Sequence, residues 1–378
     1  MASAILVARA LSPNEYAEYS YFQITAAMIS TVSVMGLGVT ASKYFAQSVL
    51  GPAPVGAILA IGTLLAAVAG VVIYIVPTTW FGAGFEISSL LLALAVGALI
   101  FGVVPTGAII GLQRFKSAAV VSAVSGVATL GGTMLSVDMG SLNFALIAFI
   151  VGALLQAVGN LAVVVHVVGV GKLTSISGFR SAKSLIGTAG PMFVVSIMSA
   201  STIWLVGRIV LLGSGGVDAF ALYSIGAQWF SLGLLVPGML SRVVLPSLLQ
   251  HPGRSAEIIK GGISLATGSC AAVAIVGSIL SPFFMGIYGE NYSDNKWLLV
   301  PFLLAAVISA PQNIFGNFLI SQSKEGAWLR LSAVGFLATI TAAAIFRESG
   351  AIGAAMAHAC GAGVLLLLCI KLLRRQHG

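Results

Sequence analysis

Residues 88–168 read SSLLLALAVGALIFGVVPTGAIIGLQRFKSAAVVSAVSGVATLGGTMLSVDMGSLNFALIAFIVGALLQAVGNLAVVVHVV. The stretch holds three apolar runs, at about 88–111, 119–137 and 143–168. Each is close to the roughly 20 residues that a helix needs to cross about 30 Å of hydrocarbon at 1.5 Å per residue. Between the first two lies a basic turn with Arg114 and Lys116; between the second and third lies a short turn with Asp138. A soluble helix presents one apolar stripe, whereas these runs are apolar all round. They read as membrane spans.

Working outward, further runs lie at about 20–40, 55–76, 187–212, 219–241, 260–281, 297–320, 328–346 and 351–372. The opening run to about residue 11 covers only half the hydrocarbon thickness. It reads as the second half of a first helix, with the missing apolar residues expected upstream in frame. The expected fold is an all-α polytopic membrane protein of about twelve transmembrane helices, the first one incomplete. Composition agrees: 58% of the 378 residues are hydrophobic and 7% charged, against about 25% charged in an ordinary soluble domain. Ten acids and eighteen bases cannot wet a soluble protein of this size, and so much apolar content excludes disorder. Cys270, Cys360 and Cys369 lie in apolar runs without metal-ligand or C-x-x-C spacing, so neither a disulfide framework nor a metal site is expected.

The net charge of +8 does not point to nucleic acid, because the bases cluster at the ends of the spans. Alternate connections hold fourteen of the eighteen bases, among them Lys116, Lys183, Arg254, Lys324 and Arg375, with two acids. The opposite connections hold three bases, Arg9, Lys296 and Arg347, and the remaining eight acids. The positive-inside rule puts the basic set, and both termini, in the cytoplasm. No connection has room for an extramembrane catalytic domain, and no Walker loop, G-x-S-x-G or H-E-x-x-H is present. The expectation is a protein that is not an enzyme and carries no cofactor.

Two stretches about 204 residues apart can be laid over each other. EYAEYSYFQITAAMISTVSVMGLGVTASKYFAQ begins at Glu15 and AFALYSIGAQWFSLGLLVPGMLSRVVLPSLLQ at Ala219, each with a Tyr-Ser pair near its start (Tyr19-Ser20, Tyr223-Ser224). VPTGAIIGLQRFKSA from Val104 and APQNIFGNFLISQSKEGA from Ala310 match in the same order. The repeat predicts two six-helix lobes: an N-terminal lobe over 1–168, a cytoplasmic linker over 169–186 and a C-terminal lobe over 187–378.

ARALSPNEYAEYS, GLGVTASKYFAQ, GLQRFKSA, LPSLLQH and above all SPFFMGIYGENYSDNKWLLVPFLLAA, with the later Ser-Lys-Glu-Gly turn, resemble the polysaccharide transporter (oligosaccharide flippase) family. That family belongs to the multidrug/oligosaccharidyl-lipid/polysaccharide exporter (MOP) superfamily. The resemblance implies two lobes around a central cavity and movement of undecaprenyl-diphosphate-linked oligosaccharides across a bacterial inner membrane by alternating access. It also implies a lipid-linked oligosaccharide and membrane lipid as partners, with a polysaccharide polymerase and other assembly proteins nearby. Position 207 is glycine, where the family often carries an acid before the arginine of the seventh helix. A multidrug exporter of the same superfamily and a membrane-embedded glycosyl polymerase or ligase are the alternatives. The first would want buried acids for organic cations, and the second a large outer loop.

Arg208 is the sole base well inside an apolar run. Its guanidinium offers a fork of donors matched to a diphosphate or a sugar carboxylate, while snorkelling to the outer interface is the plain alternative. Arg9 closes the opening run. Gln23, Gln156, Asn160, Gln228, Asn313 and Asn317 place amides within the spans, with 156/160 and 313/317 sharing a helix face. Such amides read sugar hydroxyls in a wet cavity or bind neighbouring helices together. His358 reads more readily as a packing histidine than as a proton relay. Pro191, Pro237 and Pro311 interrupt helices where a transporter needs hinges.

Cysteine labelling of intact cells should find residues beside Lys116, Lys183 and Arg254 inside and those beside Asp138 and Asn291 outside. A label reaching Lys183 from the periplasm would reverse the orientation.

Overall fold

A computed structural model describes residues 1–34, 36–38, 41–42, 45, 55–76, 84–169, 182–250 and 252–377. Among these the chain is helical almost throughout and has no strand. An apolar solvent imposes this, because every backbone N–H and C=O must find a partner within its own segment. The chain divides into two compact units, Ala2–Ala200 and Ser201–Gly378. The first contains α1 (Ala2–Ala10), α2 (Pro13–Ser33), α3 (Val55–Ile75), α4 (Ser89–Gly111), α5 (Phe115–Asp138), α6 (Leu142–Val168) and the beginning of α7 (Ala182–Leu211). The second contains the end of α7, then α8 (Gly216–Gly233), α9 (Leu235–Gln250), α10 (Ser255–Ile279), α11 (Ser281–Tyr288), α12 (Glu290–Ser293), α13 (Leu299–Ser309), α14 (Gln312–Ser321), α15 (Glu325–Ile345) and α16 (Gly350–His377). The division falls inside α7. Most of the expected linker, residues 170–181, lies outside the described residues, and 182–186 are helical.

Among the described residues nine helical segments are long and apolar enough to cross a membrane, and the bent pair α8–α9 makes a tenth. The span expected at 20–40 differs from what is observed; residues 35 and 39–40 lie outside the described residues. Its helix, α2, starts seven residues earlier because of a capping box. The Ser12 hydroxyl accepts from Glu15 N–H, and the Glu15 carboxylate accepts from Ser12 N–H at 2.9 Å, with Pro13 opening the helix. The polar run EYAEYSYFQ over 15–23 keeps α2 out of the strongly apolar set.

Burial is distributed as a bilayer demands. Many large apolar side chains are exposed, among them Leu64, Ile75, Val127, Leu135 and Ile279, while the buried residues are rich in alanine, as at Ala17, Ala95, Ala108, Ala305 and Ala355. Lipid is as apolar as leucine, so close approach at small residues contributes much of the helix association. Gly152 of α6 faces Thr129 of α5, and Gly361 of α16 faces Thr339 of α15; a Cβ at either glycine would fall onto the threonine hydroxyl.

These two contacts stand about 210 residues apart and occupy the same place in each unit. In the first unit α4 packs against α2, α3 and α6, and α5 pairs with α6. In the second the broken span α13–α14 packs against the pair α8–α9, α10 and α16, and α15 pairs with α16. The turns entering α5 and α15 also match. Gln113 and Ser323 both adopt φ +56° and are the sole non-glycine residues with positive φ among those described. After each, the next N–H reaches back five residues: Arg114 to the Ile109 carbonyl at 3.1 Å and Lys324 to the Leu319 carbonyl at 2.8 Å. This is the Schellman closure of a helix end, which glycine normally provides. The repeat expected from the sequence is therefore present in packing and in backbone conformation.

Gly361→Ala should push α15 and α16 apart and lower stability by about 1–3 kcal/mol, an overpacking cost. Gly126→Ala, where a Cβ meets nothing within 4 Å, should leave the melting temperature unchanged or slightly raised. Thermal unfolding in detergent micelles compares the two, and equal effects would contradict this account of the α15–α16 contact.

Candidate functional site

Most of the predicted polar residues lie inside helices that are otherwise apolar, so each must find a partner or face a wet space. In α6 the Gln156 amide is bound at both ends to α5. Ser125 Oγ donates to Gln156 Oε1 at 2.8 Å, and Gln156 Nε2 donates to Ser122 Oγ at 2.7 Å. One turn further, Asn160 is buried and donates through Nδ2 to Thr106 Oγ1 of α4 at 2.9 Å. Thr106 in turn donates to the Gly102 carbonyl, and Asn160 Oδ1 has no partner. The two amides that share a helix face thus bind two different neighbours.

The second unit places its amides on the helix that corresponds to α4. Asn317 of α14 is buried and donates to both the carbonyl and the hydroxyl of Ser241 in α9, at 2.7 and 2.8 Å. Gln312, five residues before it, donates to the Ala362 carbonyl of α16 at 3.0 Å. Asn313, predicted to share the face of Asn317, is exposed instead. Gln228 of α8 accepts from the Tyr288 hydroxyl at the long distance of 3.4 Å, and half-buried Gln23 bonds the Tyr19 side chain within α2. Arg9 is exposed at the end of α1. Among the predicted amides, Gln156, Asn160 and Asn317 are therefore interhelical clamps, each worth about 0.6–2 kcal/mol in a bilayer.

Arg208 lies in the last turn of α7, half-buried. Its guanidinium sits over the Trp204 indole, 5.3 Å from the ring centroid, one turn earlier on the same face. Such contacts contribute about 0.5–1 kcal/mol at accessible sites. Val206 and Val210 of the same turns are buried, so the Trp204–Arg208 face is the more open side of this helix end. The sequence reading singled out Arg208 and passed over Trp204, although their i, i+4 spacing is the signal that would have found it. His358 of α16 is buried between two rings of α8. Tyr223 stacks on it at 6.3 Å and Phe230 at 5.1 Å, while the Tyr223 hydroxyl donates to the Ile203 carbonyl of α7 at 2.8 Å.

The three prolines take up different positions. Pro191 lies within continuous α7. Pro237 stands in the first turn of α9, where it has no N–H to offer the Gly233 carbonyl, and α8 and α9 meet there at 42°. Pro311 separates α13 from α14 as the N-cap of the latter. Among the described residues no group of histidine, cysteine and acid side chains could hold a metal ion.

No family model matches the chain. Solved structures do: a multidrug resistance MATE family transporter of the MOP superfamily in its inward-facing conformation superposes with a TM-score of 0.80 at 16% identity, over 99% of this chain and 93% of that one. The fold is that of the MOP-superfamily transporters. The lipid II flippase MurJ in an inward closed conformation gives 0.73 at 14% identity, over 98% and 84% of the two chains. By sequence the chain is similar to the EPS I polysaccharide export inner membrane protein EpsE of Ralstonia solanacearum, 24% identical over 84% of this chain and 79% of the relative. The resemblance drawn from the sequence motifs agrees with both comparisons. The chain shares its fold with membrane transporters, and the relative it is similar to is named as an export protein.

Asn317→Ala should lower stability by about 0.6–2 kcal/mol through loss of the Ser241 clamp, whereas Asn313→Ala should leave it unchanged. Melting curves of the two purified variants make the comparison, and an Asn313→Ala loss equal to that of Asn317→Ala would contradict this division of roles.

Proposed function

We propose that this chain is an inner-membrane flippase that moves lipid-linked oligosaccharides, with an undecaprenyl-diphosphate carrier, toward surface polysaccharide assembly by alternating access. The observation that carries the reading is the combination of a MOP-superfamily fold with sequence similarity to a named polysaccharide export protein. In this reading the headgroup is held in a cationic cavity while the polyprenyl tail stays in lipid. Both termini are cytoplasmic, as the split of bases indicates.

The charge distribution favours this over multidrug export. Organic cations are attracted by buried carboxylates, and among the described residues no Asp or Glu is buried. Arg208 is the base best placed to meet a diphosphate. Its guanidinium already rests on a ring, and sliding from the Trp204 face onto phosphate oxygens exchanges a modest cation–π contact for charge-assisted hydrogen bonds. Trp204, one turn earlier, keeps an aromatic ring beside that base. Asn313, exposed and not engaged as a clamp, is the amide left to read hydroxyls, with Gln23 and Gln228 as weaker candidates. Pro237 and Pro311 supply the hinges at existing breaks.

The test is complementation of a strain lacking its own lipid-linked oligosaccharide flippase, scored as surface polysaccharide. Arg208→Ala should abolish export while the protein still inserts, and Arg208→Lys should retain only part of it because the ammonium lacks the planar fork. If lysine works as well as arginine and alanine is nearly harmless, Arg208 snorkels and holds no substrate. Export of cationic dyes with no effect on polysaccharide would favour the multidrug alternative.

A further inference from the structure

Between α10 and α13 the chain does not simply turn. Leu280 ends α10 by donating to the Val276 carbonyl at 3.0 Å, and Pro282 cannot donate to the Ser278 carbonyl, so the helix cannot continue. A separate helix of eight residues, α11, follows with the sequence SPFFMGIY. Ser281, Met285 and Tyr288 are fully buried, at i, i+4 and i+7, and fix one face of α11 onto the second unit. The neighbouring Phe284 ring packs on Trp229 of α8, centroids 4.4 Å apart. On the other face Phe283 is 64% exposed and Gly286 has no side chain.

The far end of the connection returns to the same place. Ser281 Oγ donates to the Lys296 carbonyl at 2.6 Å, which fastens the start of α11 to the segment that carries Trp297. Trp297 is 64% exposed, and Lys296 beside it is exposed too. Along the chain the exposed apolar positions run from Ile275, Val276 and Ile279 of α10 through Leu280 to Phe283. α10 is long and apolar enough to cross a membrane, so lipid tails are the natural cover of its exposed apolar positions. Between Phe283 and Trp297 come Glu290, Asn291 and Asp294, all exposed and polar.

We propose that α11 with Trp297 is an in-plane anchor seated in the bilayer leaflet at that end of α10, with Phe283 and the Trp297 indole at the boundary between acyl chains and headgroups and Lys296 at the lipid phosphates. Three observations choose lipid as the occupant. The exposed apolar positions follow directly in sequence on those of an apolar, membrane-length helix. The connection pairs an apolar ring with an amphipathic indole and a base, the side-chain set that settles at a membrane interface. Its polar residues, Glu290, Asn291 and Asp294, are gathered in one short stretch between the two exposed rings, which is the part left for water. The connection between two spans thereby holds a set depth in the membrane instead of moving freely in water.

The experiment measures depth in lipid nanodiscs of phosphatidylethanolamine and phosphatidylglycerol. Phe283→Cys, Trp297→Cys and Asn291→Cys are made singly in a chain whose Cys270, Cys360 and Cys369 are alanine, then labelled with a nitroxide. Accessibility to oxygen against a water-soluble nickel chelate should place positions 283 and 297 about 5–10 Å below the phosphates and position 291 in water. Nickel access at 283 and 297 equal to that at 291 overturns the proposal. So does protection of both positions from both reagents, which would mean that a second copy of the chain covers the patch. A second measurement leaves the native cysteines in place. The fluorescence difference between the wild type and Trp297→Phe isolates this tryptophan, and its quenching should be stronger by lipids brominated near the headgroup than by those brominated deep in the tails. No quenching by either lipid, equal quenching by both, or stronger quenching by the deep bromines also overturns it.

Discussion

Two helices in a bilayer gain little by burying leucine against each other, because the tails around them are already as apolar as leucine. What remains is contact so close that dispersion and hydrogen bonding between backbones and small polar groups take over. The structure shows this constraint at its closest contacts. Its core is rich in alanine and small hydroxyl residues, set among buried large side chains such as Tyr16, Leu92, Ile109 and Phe302. Gly152 against Thr129 and Gly361 against Thr339 are the closest expressions of it, and the amide clamps at Gln156, Asn160 and Asn317 supply the hydrogen-bonding part.

The span pattern was legible because twenty apolar residues in a row have few other uses, and the basic turns between them marked the ends. The duplication was legible too, since Pro105 and Pro311 precede similar turns, and the structure adds the matched φ of Gln113 and Ser323. The start of α2 was misplaced because hydropathy points to where a helix is apolar, whereas the Ser12–Glu15 capping box decides where it begins. The fate of the amides could not be read from spacing alone. A shared face says which way two side chains project, but only the neighbouring helix decides whether a hydroxyl waits there, as Ser241 does for Asn317, or nothing does, as for Asn313.

Function draws on what is left after packing has taken its share of the polar groups. The structure commits three of the named amides to holding helices together and sets half-buried Arg208 over Trp204 in the last turns of α7. A transporter for a large anionic headgroup needs few dedicated side chains, since hydroxyls and phosphates can bond a wet, weakly basic surface in many registers. The absence of buried carboxylates among the described residues suits that demand better than recognition of small cations.

The hydroxyl-lined face of α5 bears on how the chain enters the membrane during synthesis. Ser122, Ser125, Thr129, Thr133 and Ser136 all lie toward α6 or bond back to their own helix. Alone beside lipid, α5 keeps most of these bonds, because Thr129, Thr133 and Ser136 donate to its own carbonyls. The three-residue turn after Gly111 delivers α4 and α5 together as one hairpin, and the Gln156 amide arrives only with α6. That amide is the group in need of a partner, and by the time α6 leaves the insertion channel its partners on α5 have already been made. The order of partitioning is written into which helix carries the hydroxyls and which carries the amide.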